Sequence, residues 1–153
     1  MTNDLVVVRA ANRAQWAVAA ALQQLTNPSP WSPAQWSSAC DTTTNTLWLG
    51  MVDELAVGFV LESTVLDELE VLDMGVSPGH RRRGLAGQLL HQVFSTAQVQ
   101  GVRTVHLEVR ASNEAARRLY AAAGMSEAGH RRRYYRNPEE DAVLMHLDLV
   151  GKS

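Results

Sequence analysis

The chain has a single cysteine, Cys40, among 153 residues, which excludes an internal disulfide framework. Its first residues, MTNDLVVVRA, lack a basic segment followed by a long apolar one. No apolar run approaches the ~18 to 20 residues that cross a bilayer. Cytoplasmic placement without membrane association is therefore expected. Net charge is also nearly absent: 14 basic side chains stand against 16 acidic ones, a balance of -2 that gives no general attraction to nucleic acid or anionic lipid. His80, His91, His106, His130 and His146 form neither HExxH nor a closely spaced Cys/His pattern, so no metal is expected. Repeats and low-complexity tracts are missing, which leaves the chemistry to local motifs.

With 46% apolar and 20% charged residues, the composition fits one compact domain spanning residues 1–153. The charge that exists is clustered. Arg81 to Arg83, and Arg131 to Arg133 with Arg136, make two basic groups, while LDELEVLD at 66–73 gathers acids. This layout points to a local anion site and a separate acidic strand surface.

Residues 5–9 are short and β-branched and read as a strand, followed by an Asn-capped, alanine-rich helix from Asn12. Three prolines interrupt residues 26–36, and Ser32-Pro33 starts a second short helix. Runs at 46–52 and 55–63 flank Asp53-Glu54 as a hairpin, and a third strand covers 66–76. Leu85, Leu89, Val93 and Ala97 share a face with Leu90 and Phe94 beside them, predicting an amphipathic helix over 84–100 that closes near Gly101. A strand at 102–109, a helix at 113–124 and two final strands, joined from Asn137-Pro138, complete the order β-α-α-β-β-β-α-β-α-β-β. The class is mixed α/β: a central sheet flanked by about four helices.

The joint VSPGHRRRGLAGQLL, residues 76–90, runs a strand into a helix through three arginines and a glycine. The first N–H groups of such a helix are unpaired and carry roughly +0.5 charge, an end that suits an anion. Gly84, Ala86 and Gly87 remove side-chain bulk, letting a phosphate approach the backbone closely. The alternative is a solvated basic loop whose glycine serves only the turn. Neither a Walker loop nor GxGxxG is present.

Arg81-Arg82-Arg83-Gly84-Leu85-Ala86 resembles the acetyl-CoA motif of the GNAT acyltransferases, Arg/Gln-x-x-Gly-x-Gly/Ala, and the element order resembles the GNAT fold over essentially the whole chain. The resemblance implies that Met74, Gly75 and Val76 offer backbone groups to the pantetheine arm. It also implies that Arg81, Arg82, Arg83, Gly84, Leu85, Ala86 and Gly87 hold the pyrophosphate. LEVRASNEAARRLYAAAGM at 107–125, preceded by PWS at 30–32 and followed by RRRYYRNPEEDAVLM, is similar to RimI-like N-alpha-acetyltransferases, which act on small-subunit ribosomal protein eighteen. Two departures stand out. Gly87 replaces an arginine common in those enzymes, leaving cofactor affinity open, and Met125 replaces a phenylalanine, a volume-tolerant change.

Acyl transfer from a thioester to an amine needs a neutral amine and a protonated thiolate leaving group. For an α-amine near pKa ~7.8, deprotonation at pH 7 costs only ~1 kcal/mol, against ~5 for a lysine. A modest base suffices. By the resemblance Glu108 is that base, directly or through water, and Tyr120 is the acid; the alternatives are an ion-paired strand glutamate and a core aromatic. Asn113 matches a cofactor-contacting asparagine and also suits a helix cap, and the two roles are compatible. Trp31, Tyr134 and Tyr135 fall in segments that border the substrate peptide in that family, although such side chains are as often core. Asp67, Glu68, Glu70 and Asp73 either attract a basic peptide or form a solvated hairpin edge. Cys40 reads as structural.

The leading expectation is therefore an N-terminal protein acetyltransferase using acetyl-CoA by direct transfer, monomeric and without a nucleic-acid partner. Two others stay open at this point: a GNAT acting on a small amine such as a polyamine or antibiotic, and a non-catalytic ribosome- or RNA-binding module centred on RRRYYR.

Overall fold

A computed structural model describes residues 5–81 and 84–149, so Arg82 and Arg83 lie outside the described residues. The elements are β1 (Val6–Arg9), α1 (Arg13–Thr26), α2 (Pro33–Asp41), β2 (Asn45–Val52), β3 (Leu55–Val65), β4 (Glu68–Val76), α3 (Leu85–Val99), β5 (Thr104–Arg110), α4 (Glu114–Ala122), β6 (Ser126–Tyr135) and β7 (Glu140–Asp148). Their order is the expected one, with a short 3-10 turn at Pro78–His80 added before the glycine joint. The third strand begins at Glu68 rather than Leu66, because Leu66 adopts φ 57° in an exposed turn. Asp53 and Glu54 both have positive φ, the backbone twist that a two-residue hairpin requires. No helix among the described residues is long and apolar enough to cross a membrane.

Seven strands form one sheet in the order β1-β2-β3-β4-β5-β7-β6, antiparallel everywhere except between β4 and β5. The parallel pair follows from the β4-α3-β5 crossover, which returns the chain to the same end of the sheet. On one face α3 buries Leu85, Leu89, Leu90, Val93, Phe94 and Ala97 against Val60, Leu69, Val71, Val105 and Leu107. Each such side chain contributes roughly 1.5–3 kcal/mol when fully buried. On the other face Trp16, Ala19 and Leu22 of α1 and Trp36 of α2 cover Leu47, Leu49, Phe59 and Leu61. The helix starts are fixed locally: Asn12 accepts from Gln15 N–H, and Ser32 forms a capping box with Gln35 that has Pro33 at the first helical position.

The register along β4 determines where the cleft opens. Val71 pairs with Glu62 of β3, yet Asp73 pairs with Leu61, so β4 carries one residue more than its partner. Without this bulge, strict alternation would turn Asp73 into the core beside Leu69 and Val71. With it, Asp73 faces α1, and Met74 and Val76 return to the α3 side. The β4–β5 ladder extends only from Glu68↔Thr104 to Val71↔Leu107. Beyond that step the two strands separate, and the β5-facing edge of residues 72–76 has no partner strand.

Glu62 is buried on β3, and loss of hydration pushes its carboxyl above the usual range despite a hydrogen bond from the Thr64 hydroxyl at 3.0 Å and the Arg9 charge. A raised folded-state value means the native protein binds the proton more tightly than the unfolded chain. The site therefore costs nothing at pH below the unfolded value and weakens the fold as pH rises through the folded one. Glu62→Gln, which keeps the acceptor for Thr64, is expected to raise the thermal midpoint at pH 7 and to lose that advantage at pH 4. An equal loss of stability at both values would contradict this.

Candidate active site

The glycine joint has the geometry of an anion cradle. Gly84 caps α3 in a left-handed conformation, φ 71°, which a side chain would strain, and no side chain among the described residues makes a capping hydrogen bond there. Leu85, Ala86 and Gly87 supply the first turn, and the Gln88 N–H donates to the Gly84 carbonyl at 3.1 Å. These residues line a cleft of about 210 Å3 together with Val76, His80, Arg81 and Leu119. Arg81 folds back so that its Nε donates to the Val76 carbonyl at 3.3 Å, holding the guanidinium beside the end of β4. His80, which the sequence reading passed over, lines the cleft as well, and its buried Nδ1 has no partner among the described residues. No Cβ contact would arise at Gly87 within 4 Å, so the space there is open.

The open edge of Met74, Gly75 and Val76 leads from this cleft to the gap between β4 and β5. Gly75 is required by a close approach: a Cβ there would lie 2.5 Å from Thr26 Oγ1 at the end of α1. Glu108 stands on β5 one residue past the last β4–β5 pair, on the face away from α3. Its carboxylate is paired with Arg131 Nε at 3.4 Å and accepts a hydrogen bond from the Tyr134 hydroxyl, which pushes the Tyr134 phenol up. Arg131 also lies 5.4 Å from the Tyr134 ring centroid, and Tyr134 meets Tyr135 edge to face at 5.1 Å. A register shift between Arg131 and Tyr135, with Arg133 at φ 53°, is what turns β6 so that this group converges on Glu108.

Tyr120 reaches the same region from α4 and is buried. Desolvation pushes its phenol far above the usual range, and the charges of Asp73 and Tyr135 add to the effect. It therefore keeps its proton throughout the neutral range. Tyr135 is pushed to about 12, chiefly by burial and then by Glu108, and Arg110 stacks 4.5 Å above its ring. Arg110 further donates to the Pro138 and Arg136 carbonyls at 3.0 and 3.1 Å, tying the β6–β7 connection, with its cis Asn137-Pro138 bond, to the end of β5. Asn113 caps α4 by accepting from Ala116 N–H at 3.1 Å through its Oδ1.

The fold thus brings Glu108, Tyr120, Tyr134 and Tyr135 near the point where β4 and β5 part, and gathers Arg81, Gly84, Leu85, Ala86 and Gly87 beyond the end of β4. Trp31 is placed differently. Its ring packs 5.2 Å from that of Trp36 and lines a cavity of about 350 Å3 between α1 and α2, one that includes Cys40 but none of Glu108, Tyr134 or Tyr135. What joins Trp31 to the gap is its backbone. The Trp31 N–H donates to Gln23 Oε1 at 2.7 Å, and Gln23 Nε2 donates to Asp73 Oδ2 at 2.7 Å. Met125 is buried in the core that holds Tyr120.

The sequence model of the Acetyltransferase (GNAT) family matches residues 16–125. The [Ribosomal protein bS18]-alanine N-acetyltransferase of Salmonella typhimurium is 40% identical over 99 residues, covering 63% of this chain and 67% of that protein. The enzyme of the same name from Escherichia coli K12 is 35% identical over 130 residues, 84% of this chain and 87% of its own. The crystal structure of the ribosomal-protein-S18-alanine N-acetyltransferase from Escherichia coli matches with a TM-score of 0.86 at 30% identity, covering 95% of this chain and 94% of that one. A sheet that parts between β4 and β5, a glycine-capped cradle beyond the end of β4 and these likenesses together lead to one statement: the chain is an acetyltransferase of the GNAT family, in the group of the bS18-alanine N-acetyltransferases.

Proposed function

We propose that the protein transfers the acetyl group of acetyl-CoA to the N-terminal α-amine of a protein, ribosomal protein bS18 foremost, by direct attack with both substrates bound. The observation that carries this reading is the placing of Glu108 and Tyr120 at one gap between two parted strands. An amine entering there meets a proton acceptor and a phenol that holds its proton. The names of the relatives favour a protein N-terminus over a small amine.

In this reading the pyrophosphate of the cosubstrate sits on the N–H groups of Leu85, Ala86 and Gly87, with positive charge from Arg81 and from Arg82 and Arg83. The open edge of Met74, Gly75 and Val76 pairs with the pantetheine amides as a further strand would, and Asn113 Nδ2 offers one more donor. The thioester then lies in the gap. Glu108 accepts the proton of the α-ammonium, directly or through water, and the amine nitrogen forms a bond to the thioester carbonyl carbon. The carbon–sulfur bond breaks, Tyr120 gives its proton to the departing sulfur, and the second proton lost by the nitrogen passes to the Tyr120 phenolate, directly or through water. Tyr134 and Tyr135 border the first residues of the peptide, while Trp31, whose ring lies in the α1–α2 cavity, contributes only through its backbone bond to Gln23.

Four outcomes test the reading. With a panel of peptides bearing free N-termini, a blocked peptide with an internal lysine, and spermidine, intact-mass detection should find acetylation at free N-termini; modification of spermidine or lysine alone would overturn the substrate assignment. Glu108→Gln and Tyr120→Phe should each lower kcat by about 100-fold while leaving acetyl-CoA affinity intact, and normal turnover in both would remove their roles. Because the α-amine enters as ammonium and Tyr120 stays protonated, kcat/KM should fall as pH rises above the α-amine value of ~7.8, and a continued rise through that value in initial rates would contradict entry of the charged form. Gly87→Arg, which enters open space and replaces glycine in a helix, should fold at least as stably and bind acetyl-CoA several-fold more tightly. Unchanged affinity would place the pyrophosphate elsewhere.

A further inference from the structure

Asp73 is a carboxylate for which the mechanism above has no task, yet it faces the same gap. The bulge in β4 aims it toward α1, where Oδ2 accepts from Gln23 Nε2 at 2.7 Å and from Asn27 Nδ2 at 3.3 Å. Oδ1 accepts only the N–H of Met74, at 2.9 Å. All three donors are neutral amides. No Lys, Arg or His pairs with Asp73 among the described residues, whereas Glu108 across the gap has Arg131. Burial accordingly pushes the Asp73 carboxyl up, and the amide donors only partly offset this.

No Lys, Arg or His among the described residues offsets the charge of Asp73 when it is ionised, and a carboxylate has room for about four hydrogen bonds, so Oδ1 can accept another. Its charge is felt by the Tyr120 phenol, which puts it within electrostatic reach of the reacting atoms. The one cation that the proposed reaction brings into the gap is the substrate itself, since an α-amine near pKa ~7.8 arrives mostly as ammonium at pH 7. We propose that Asp73 is the docking partner of the substrate's α-ammonium, selecting a charged N-terminus on arrival and presenting it to Glu108 and the thioester. Asp73 then recognises, and Glu108 removes the proton. Gln23 acts through Asp73 as a positioning residue: it is fully buried, and its Oε1 accepts from both Trp31 N–H and Trp36 Nε1, at 2.7 and 2.9 Å, while its Nε2 holds Asp73. One amide thus sets the carboxylate and the α1–α2 loop in a common frame.

This inference rests on the N-terminal acetyltransferase reading, and the test separates the two. With CoA present in place of acetyl-CoA, calorimetry compares a peptide bearing a free N-terminal alanine with its des-amino analogue on the wild type and on Asp73→Asn. The wild type should prefer the free amine by about tenfold or more, and Asp73→Asn should lose that preference. In turnover, Asp73→Asn should raise the peptide KM by a similar factor with a smaller change in kcat, while acetyl-CoA affinity and thermal midpoint stay near those of the wild type. A purely structural Asp73 would instead move the midpoint and cosubstrate binding together. Equal binding of the two peptides by the wild type, or an undiminished preference in Asp73→Asn, overturns the docking role while peptide turnover by the wild type leaves the functional reading standing. Absence of any peptide turnover by the wild type overturns both.

Discussion

The parting of β4 from β5 after Val71 and Leu107 is the constraint on which the rest of the site depends. A continuous ladder would satisfy every backbone group on this edge and leave nowhere for a thioester or an amine to meet. The bulge at Asp73 and the crowding of Gly75 against Thr26 both act on the same few residues of β4, and the α3 crossover holds the far ends of the two strands together. The exposed edge is not left to aggregate as an ordinary sheet edge would be. Strand β4 is covered by α1 on one face and by α3 on the other.

Electrostatics in the gap divide the work between groups of the same chemical type. Glu108 is embedded among a guanidinium and a phenol, and Asp73 among amides. Two phenols, Tyr120 and Tyr135, are held protonated chiefly by burial. The gap is therefore anionic at its walls and lined by hydroxyls that donate, a combination suited to taking in a cation and releasing a neutral amide. Acetylation removes the substrate's charge, so the product has less reason to stay.

Much of this was legible in the sequence. Local signals such as the Asn12 and Ser32 caps, the Asp53-Glu54 turn and the 3.6-residue spacing in α3 depend on neighbours a few positions apart, and each element they announce is present. Family motifs pointed to the glycine joint, which lines a cleft with Val76 and Leu119, and to Glu108 on β5 and Tyr120 on α4, which are not among the residues lining that cleft. The bulge was not legible, because LEVLDM reads as an unbroken strand until it is counted against β3. Gln23 was equally hidden: it looks like either of two glutamines in a helix, and only the packing of α2 buries it. Glu62 looked like an ordinary strand residue for the same reason. Trp31 was assigned by segment, but the direction of its ring depends on Trp36, which sits on α2 beyond the loop that carries Trp31.

Gln23 also bears on how such an enzyme could change its substrate. A leucine there would strand the Trp31 N–H, the Trp36 indole and the Asp73 carboxylate at once, and a glutamate would set a second negative charge against Asp73. The loop it anchors is thus not a free module. Grafting a foreign α1–α2 loop onto this scaffold would have to carry its own substitute for Gln23 or rebuild the charge on β4 in the same step, so divergence in this family member has to proceed through coupled replacements rather than through the loop alone.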